Sequence, residues 1–401
     1  MRNCIDGCIV FDILRTAATR VHDFLRIPLP PRSLQSQPTS LHSGIYRCFL
    51  IAFISISHFG RSNVKSSELT PVGHWRPGSH APVFEQSALS QQLMQIRQPL
   101  HIVRDTGRAR IGLATEGSVV TTPTSGDLPL LASLPAIYPE WLGDRSFCEV
   151  HGVRFPYVVG EMANGITTTR MCIAMAEAGM VGFFGAGGLG YPRVEEAVDE
   201  LVSKLGNRLP WGVNLIHSPN EVALENRVAD LLIRKGVPII SASAFMGLTP
   251  AIVRCAASGL HLDTNGRIVR KHRVFAKVSR REVAIRFMSP APADILQNLV
   301  ANKLLTVTEA ELAAKIPVAE DITVEADSGG HTDNQLLVAL FPTIMALRDE
   351  LVVQHAYDRP IRIGAAGGLG TPGSLAAAFA MGAAYVVTGS VNQAAVESGL
   401  S

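Results

Sequence analysis

The stretch Ile361 to Ser390, IRIGAAGGLGTPGSLAAAFAMGAAYVVTGS, decides how the rest of the chain is read. Ile361 and Ile363 open a short apolar strand that runs into Gly364. Gly367, Gly368 and Gly370 then allow a tight turn that bares backbone N–H groups, because no Cβ blocks an approaching ligand. Thr371 is placed to cap the next helix and Pro372 to occupy its first position, where no N–H is missed. Ser374 to Met381 is small and apolar, and Gly382 is placed to end that helix. Ala384 to Val387 reads as the next strand, and Thr388-Gly389-Ser390 opens a following helix. Two successive strand ends thus present glycine amides at helix starts, the arrangement that holds a phosphate. In a (β/α)8 barrel the loops after the last two strands are where a phosphate group commonly sits. Two ordinary βα turns would use the same residues; their place on adjacent strands favours the phosphate.

Outward from this stretch the same unit repeats. From Arg154 onward there are eight strand candidates: Tyr157–Glu161, Val181–Gly185, Trp211–Leu215, Ile239–Ala242, Val274–Val278, Ile322–Ala326, Ile361–Gly364 and Ala384–Val387. Helical stretches lie between them, at Thr168–Ala178, Arg193–Leu205, Asn220–Lys235 and Gln335–Val352, the first three closed by glycine. Short apolar strands alternating with glycine-stopped helices predict an α/β fold, a TIM barrel over residues 151–401. Residues 279–320 exceed one crossover and read as a helical insertion after strand five, with pieces at Pro292–Lys303 and Thr308–Ile316. Residues 71–150 read as an N-terminal cap subdomain, with an amphipathic stretch Gln86–Ile96 and a hairpin around Asp105-Thr106-Gly107. Residues 1–70 have no clear organisation, and Pro28–Ser43 has a disordered composition. The last helix, beginning near Asn392, is cut short by the end of the sequence at Ser401.

The chain has 401 residues, a formal net charge of +2 and 47% hydrophobic residues. Near-balanced charge points away from nucleic acid as a partner, and the apolar content suits a wrapped parallel sheet. Cys4, Cys8, Cys48, Cys148, Cys172 and Cys255 form no disulfide ladder and give a poor zinc signal, so no metal site is read and a reducing, cytoplasmic setting is expected. The apolar run within Tyr46–Phe59 is too short to span a bilayer, so no membrane partner is expected.

The glycine motif GAGGLG at Gly185–Gly190 would suggest a dinucleotide fold, but the next strand ends WGVNLIHSP, with no acidic residue for a ribose. One phosphate site at a barrel mouth suits FMN better. Other strand ends supply the rest of such a site. Glu161-Met162-Ala163-Asn164 follows strand one, where backbone and the Met162 side chain could pack on a flat ring. Asn214 ends strand three, as a ring contact or as a turn residue bonding its own backbone. Lys277 ends strand five on the apolar run FAKV, either paired inside the mouth or snorkelling at its edge. In VEADSGGHTDN, Val324 to Asn334, an apolar strand runs into Asp327, Gly329-Gly330 and His331. His331 there is placed to donate a proton near neutral pH, with Asp327 and Asp333 as orienting candidates.

EADSGGHTDN, AAGGLGTP and VVTGSVNQA, with GEMANGI and GVNLIHSP, resemble the trans-acting enoyl reductases of polyunsaturated fatty acid synthases and trans-acyltransferase polyketide synthases, within the wider nitronate monooxygenase-like group. The resemblance covers roughly Trp75 to Ser401. It implies an FMN barrel that reduces the enoyl double bond of an acyl chain on an acyl carrier protein, with NADPH or NADH as hydride donor. By position it implies that Met162, Asn164 and Asn214 line the flavin. Gly329, Gly330, Gly367, Gly368, Gly389 and Ser390 would hold its phosphate. His331 would be the active-site donor, with Lys277 second, and a homodimer is left open. Members of that group continue past the point where this sequence ends, so the apolar faces of strand eight and of the first helix are expected to be exposed. Two rival readings share these motifs: a nitronate monooxygenase-like oxidase, and a truncated, inactive docking chain.

Overall fold

The computed structural model describes residues 70–108, 110–328 and 332–400. The extension before residue 70, with its apolar run, lies outside the described residues. Two compact units divide the described residues: one runs to Pro139 and takes in Thr371–Ala376, and the other comprises Glu140–Gly370 and the residues from Ala377 onward.

The first unit holds an antiparallel sheet of β1 (Gly73–Arg76), β2 (Leu100–Asp105), β3 (Arg110–Ala114), β4 (Ser118–Val120) and β5 (Leu128–Leu134), in the order β3-β2-β5-β1-β4. The hairpin foreseen around Asp105-Thr106-Gly107 is β2–β3, with Asp105 opposite Arg110. Helix α1 (Gln86–Leu93) lays Leu89 and Leu93 on Leu100, Ile102 and Leu113. Trp75, Val103, Ala114 and Leu130 form a second cluster, in which the wholly buried Trp75 donates its Nε1–H to Glu116 O at 2.7 Å.

The second unit starts with α2 (Arg145–His151) and continues as a barrel. Its first four parallel strands are β6 (Tyr157–Val159), β7 (Val181–Phe184), β8 (Gly212–Ile216) and β9 (Ile239–Ser243). A two-stranded hairpin, β10 (His261–Leu262) with β11 (Ile268–Val269), comes next in the chain. The other four barrel strands are β12 (Arg273–Val278), β13 (Asp321–Glu325), β14 (Arg362–Ala366) and β15 (Val386–Thr388), and the eight close in chain order. All eight lie within two residues of the ends read from the sequence. The helices between are α3 (Thr169–Glu177), α4 (Tyr191–Lys204), α5 (Val222–Lys235), α6 (Pro250–Ala257), α7 (Arg281–Met288), α8 (Ala293–Ala301), α9 (Val307–Ala313), α10 (Leu337–His355) and α11 (Pro372–Ala380). Their starts follow local chemistry: Thr168 caps α3 and Thr249 caps α6, while Thr306 and Glu309 close a capping box on α9. Of the pieces inserted after β12, α7 packs on β12 and α10 as the ordinary crossover helix, whereas α8 and α9 lie against α6. Among the described residues no helix is long and apolar enough to cross a membrane, and Cys148, Cys172 and Cys255 are free.

Three features depart from the sequence reading. The β10–β11 hairpin was not foreseen. The last element is a 3-10 helix, Ser390–Ala394, instead of the start of an α-helix near Asn392. The apolar faces expected to be bare are covered: Val386 and Cys172 are wholly buried, and Val387 and Met171 nearly so. Residues 395–400 fold back over the start of α3, with Thr168 Oγ1 donating to Glu397 O at 2.5 Å and Gly399 N to Ile166 O at 2.9 Å.

Helix α2 closes the N-terminal end of the barrel. Phe147 stacks on Tyr385 at 4.5 Å and meets Phe275 edge-on. Behind it His151 Nε2 donates to Asp321 Oδ2 at 3.0 Å, and Arg362 grips both oxygens of Asp321 from Nε (2.6 Å) and Nη2 (2.8 Å). Arg270 Nε donates to Glu320 Oε1 at 2.9 Å. Burial opposes the Asp321 charge, but His151 and Arg362 outweigh it and hold its carboxyl well below the usual range. Burial pushes His151 down, and the pull of Asp321 offsets this only in part. A depressed carboxylate stabilises the fold above its unfolded value of about 4 and loses that contribution as pH falls. A depressed histidine also favours the unfolded chain once pH falls below about 6.5. Stability followed by urea denaturation should therefore decline from about pH 6.5 and more steeply below about pH 4. Arg362→Met, which strands Asp321, should cost about 3–5 kcal/mol at pH 7 and shrink the decline below pH 4.

Candidate active site

At the C-terminal ends of the strands lies a cavity of about 950 Å³ to which every strand of the barrel contributes. The loop after β6 supplies Gly160, Glu161, Met162 and Ala163, and that after β7 supplies Gly187. β8 and β9 supply Asn214, Ile216 and Ser243, and the loop after β9 supplies Phe245 and Met246; β12 supplies Lys277 and the turn after it Arg280; β13 supplies Glu325 and the turn after it Asp327. The turns after β14 and β15 supply Gly367, Gly368, Gly370, Gly389 and Ser390.

The β14 turn is built for close approach. Gly367 has φ +89° and Gly368 φ +68°, the left-handed region that costs other residues. A Cβ on Gly367 would lie 2.9 Å from Asp327 O, whereas one on Gly368 would meet nothing within 4 Å. The N–H groups of Gly367, Gly368, Gly389 and Ser390 find no acceptor among the described residues. The β6 loop is held rigidly: Gly160 N donates to Thr388 O at 2.9 Å, Met162 N to Thr167 Oγ1 at 2.9 Å, and Thr167 Oγ1 to Gly160 O at 2.8 Å. The loop is further zipped to β7 by Asn164 N to Gly187 O (2.7 Å) and Gly165 N to Gly185 O (3.0 Å). The GAGGLG glycines serve this packing, since a Cβ on Gly185 would fall 1.8 Å from Met162 O. Ala244, in the cavity wall, holds φ +63°, a strained backbone for a residue with a Cβ.

Lys277 sits inside the mouth as a paired charge. Its Nζ lies 3.0 Å from Glu325 Oε1 and 3.3 Å from Glu161 Oε1, with the side chain 13% exposed. Burial works against the ammonium, but Glu161 and Glu325 hold its pKa above the ordinary lysine value. Ser241 Oγ also donates to Glu161 Oε1 at 2.9 Å. Asn214, nearly buried, exchanges hydrogen bonds with Ser243 at 3.1 and 3.2 Å.

The structure therefore gathers Met162, Asn214, Lys277, Gly367, Gly368, Gly389 and Ser390 around one cavity. Asn164 is not among the lining residues; its backbone is left-handed at φ +58° and its side chain lies against Gly188. Gly329, Gly330 and His331 lie outside the described residues. Asp327 lines the cavity, while Asp333 engages Arg280 Nε at 2.5 Å and Nη2 at 2.7 Å. Sequence reasoning passed over Glu161 and Glu325, although each, like Lys277, is a charge closing an apolar strand. It also passed over His217, whose Nδ1 donates to the buried Glu225 at 2.9 Å and whose ring stacks on Phe245 at 5.1 Å.

With this geometry in hand, residues 145–400 match the family model described as Nitronate monooxygenase. The chain belongs to the nitronate monooxygenase family, which is a family of oxidoreductases. Residues 75–136 match the Fatty acid synthase subunit PfaD N-terminal domain. The chain is 43% identical over 265 residues to the Polyketide biosynthesis protein PksE of Bacillus subtilis, covering 66% of this chain and 35% of that one. It is 42% identical over 318 residues to a polyunsaturated fatty acid synthase component of Thraustochytrium sp., covering 78% and 20%. Among solved structures it is similar to the enoyl reductase domain of MlnA from Bacillus amyloliquefaciens, with a TM-score of 0.63 and 41% identity over 65% of this chain and 59% of that one. The chain thus spans less than two thirds of the length of each of these relatives.

The Lys277 cluster has a stability signature. Lys277→Met should leave two sheltered carboxylates without their cation and cost about 3–5 kcal/mol in urea denaturation. Adding Glu161→Gln to Lys277→Met should recover part of that loss, with a coupling of about 0.5–3 kcal/mol between the two sites.

Proposed function

We propose that the chain is an FMN-dependent enoyl reductase, acting in trans on enoyl thioesters carried by an acyl carrier protein during polyketide or polyunsaturated fatty acid synthesis. The observation that carries this reading is the pair of adjacent glycine strand ends that line one cavity and whose four N–H groups have no acceptor among the described residues. Four such donors form a cup for a phosphate without any basic side chain. The residues present fit FMN: Gly367 and Gly368 keep the cup free of Cβ atoms, and Met162 and Asn214 line the same cavity as apolar and polar surface for a flat ring. The names of the relatives supply the substrate class.

When bound, FMN would supply the hydride relay between NADPH or NADH and the β-carbon of the enoyl thioester. The chain's own residues bind and polarise. Gly367, Gly368, Gly389 and Ser390, with Gly329 and Gly330, hold the phosphate. His331 donates to the thioester carbonyl as it gains enolate charge. Lys277 is less suited to give up a proton, since Glu161 and Glu325 hold its ammonium charged. A second reading, an oxidase that hands electrons to oxygen with a nitronate substrate, rests on the family model over residues 145–400.

Reconstitution with FMN tests the reading: the chain should bind one equivalent, be reduced by NADPH or NADH, and be reoxidised faster by a crotonyl-type thioester than by oxygen with a nitronate. The reverse order of rates would favour the oxidase. Gly368→Ala should weaken FMN binding at least about tenfold while costing only about 1–2 kcal/mol of stability for its left-handed backbone. His331→Ala should leave FMN bound and slow reoxidation by the thioester about 10²–10⁴-fold in stopped-flow measurements.

A further inference from the structure

Glu161 enters that reading only through its hold on Lys277, yet it is the one side chain lining the cavity, among the described residues, that has a buried polar atom without a partner. Its side chain is 3% exposed. Oε1 is used twice, accepting from Ser241 Oγ at 2.9 Å and facing Lys277 Nζ at 3.3 Å. Oε2 has no donor among the described residues. Leaving such an oxygen unmatched is costly, so its retention points to a demand from outside the folded chain.

The charges around it do not cancel. Lys277 is shared between Glu161 and Glu325, so the three groups carry one negative charge in surplus. The other described charged residues lining the cavity are Asp327 from the β13 end and Arg280 from the β12 end, and Arg280 is already committed to both oxygens of Asp333. Ser328 Oγ donates to Glu325 Oε1 at 3.3 Å but adds no charge. Asp327 adds a further negative charge, and neither described cation of the lining is free to neutralise the surplus. In a sheltered site an unneutralised negative charge raises the cost of a second one and favours the protonated form of whatever lies beside it.

We propose that Glu161 is a positioning residue that keeps negative charge in surplus beside the flavin, so that the reduced isoalloxazine ring at this site is held protonated and uncharged over the neutral pH range. The inference rests on the flavin reading above. Its balance is complete: a reduced nicotinamide delivers two electrons and one proton as hydride, and the second proton comes from solvent. Glu161 acts through the field it sets up, in concert with Lys277 and Glu325, without exchanging a proton itself.

The test uses the full chain loaded with FMN and reduced anaerobically with dithionite. The near-ultraviolet and visible spectrum of reduced flavin, which distinguishes its uncharged and anionic forms, is followed against pH. The wild-type chain should keep the uncharged form through neutral pH. Glu161→Gln should move the midpoint to lower pH by about one unit, a tenfold loss of proton affinity, whereas Glu161→Asp should titrate close to wild type. Glu325→Gln removes the same surplus from the other side and should shift the midpoint in the same direction, which keeps the test intact if the first variant folds poorly. The proposal is overturned if the wild-type reduced flavin is anionic at neutral pH, or if both glutamine variants titrate with wild type. A glutamine variant that folds but no longer holds FMN also overturns it, since Glu161 would then belong to the binding surface. A wild-type chain that takes up no FMN removes the flavin reading itself, a failure visible before any variant is made.

Discussion

Closure of the parallel sheet depends on a short ladder in which Val386 lies opposite Tyr157, Val387 opposite Val158 and Thr388 opposite Val159. Thr388 reinforces it at the mouth, donating from Oγ1 to the Tyr157 hydroxyl at 2.8 Å and accepting Gly160 N–H at 2.9 Å. An open parallel sheet would leave two unpaired edges and no enclosed mouth. Because the last strand meets the first, the glycine turn after β15 lands beside the loop after β6, where a Cβ on Gly389 would lie 4.0 Å from Met162 Cγ. The cavity exists only in the closed ring, since its wall draws on all eight strand ends.

Much of this was legible in the sequence, for physical reasons that differ from part to part. The barrel strands are short apolar runs because both faces of a wrapped parallel sheet are covered, and α3, α4 and α5 announce themselves through the glycine stops at Gly179, Gly206 and Gly236, whereas the Thr249 cap of α6 was not read. The glycine turn after β14 was legible because only glycine takes its left-handed backbone without cost. Lys277 stood out as a charge on an apolar strand, but its partners did not: Glu161 and Glu325 lie on other strands, and nothing in local spacing says which strand ends face each other. The β10–β11 hairpin escaped because two-residue strands carry no periodicity, although Asn265-Gly266 is a hairpin signal. The last helix failed because the chain after Ser390 forms a tight 3-10 turn and is then drawn back over α3.

The two ends of the barrel use ionisable residues in opposite ways. At the N-terminal end the carboxylates of Asp321 and Glu320 are matched in charge by Arg362 and Arg270 through close contacts, with His151 donating to Asp321. At the C-terminal end Glu161, Lys277 and Glu325 are close but unequal in number. Apolar packing joins the two: Phe183, Ile239, Phe275 and Tyr385 form part of the buried cluster inside the barrel. A matched network rigidifies its surroundings, and an unmatched one keeps a field available for chemistry.

Helix α2 behaves as a stopper in the lower opening of the barrel. It is fastened at its start by the Asp144 cap on Ser146 N–H and by Asp144 N–H to Ala384 O, and at its end by His151. A barrel excised just ahead of its first strand would be uncorked. Water would reach Phe275 and Tyr385 from below, and Asp321 would keep Arg362 alone as its close partner. The minimal autonomous barrel therefore begins before Asp144, ahead of the stopper and of the residue that seats it.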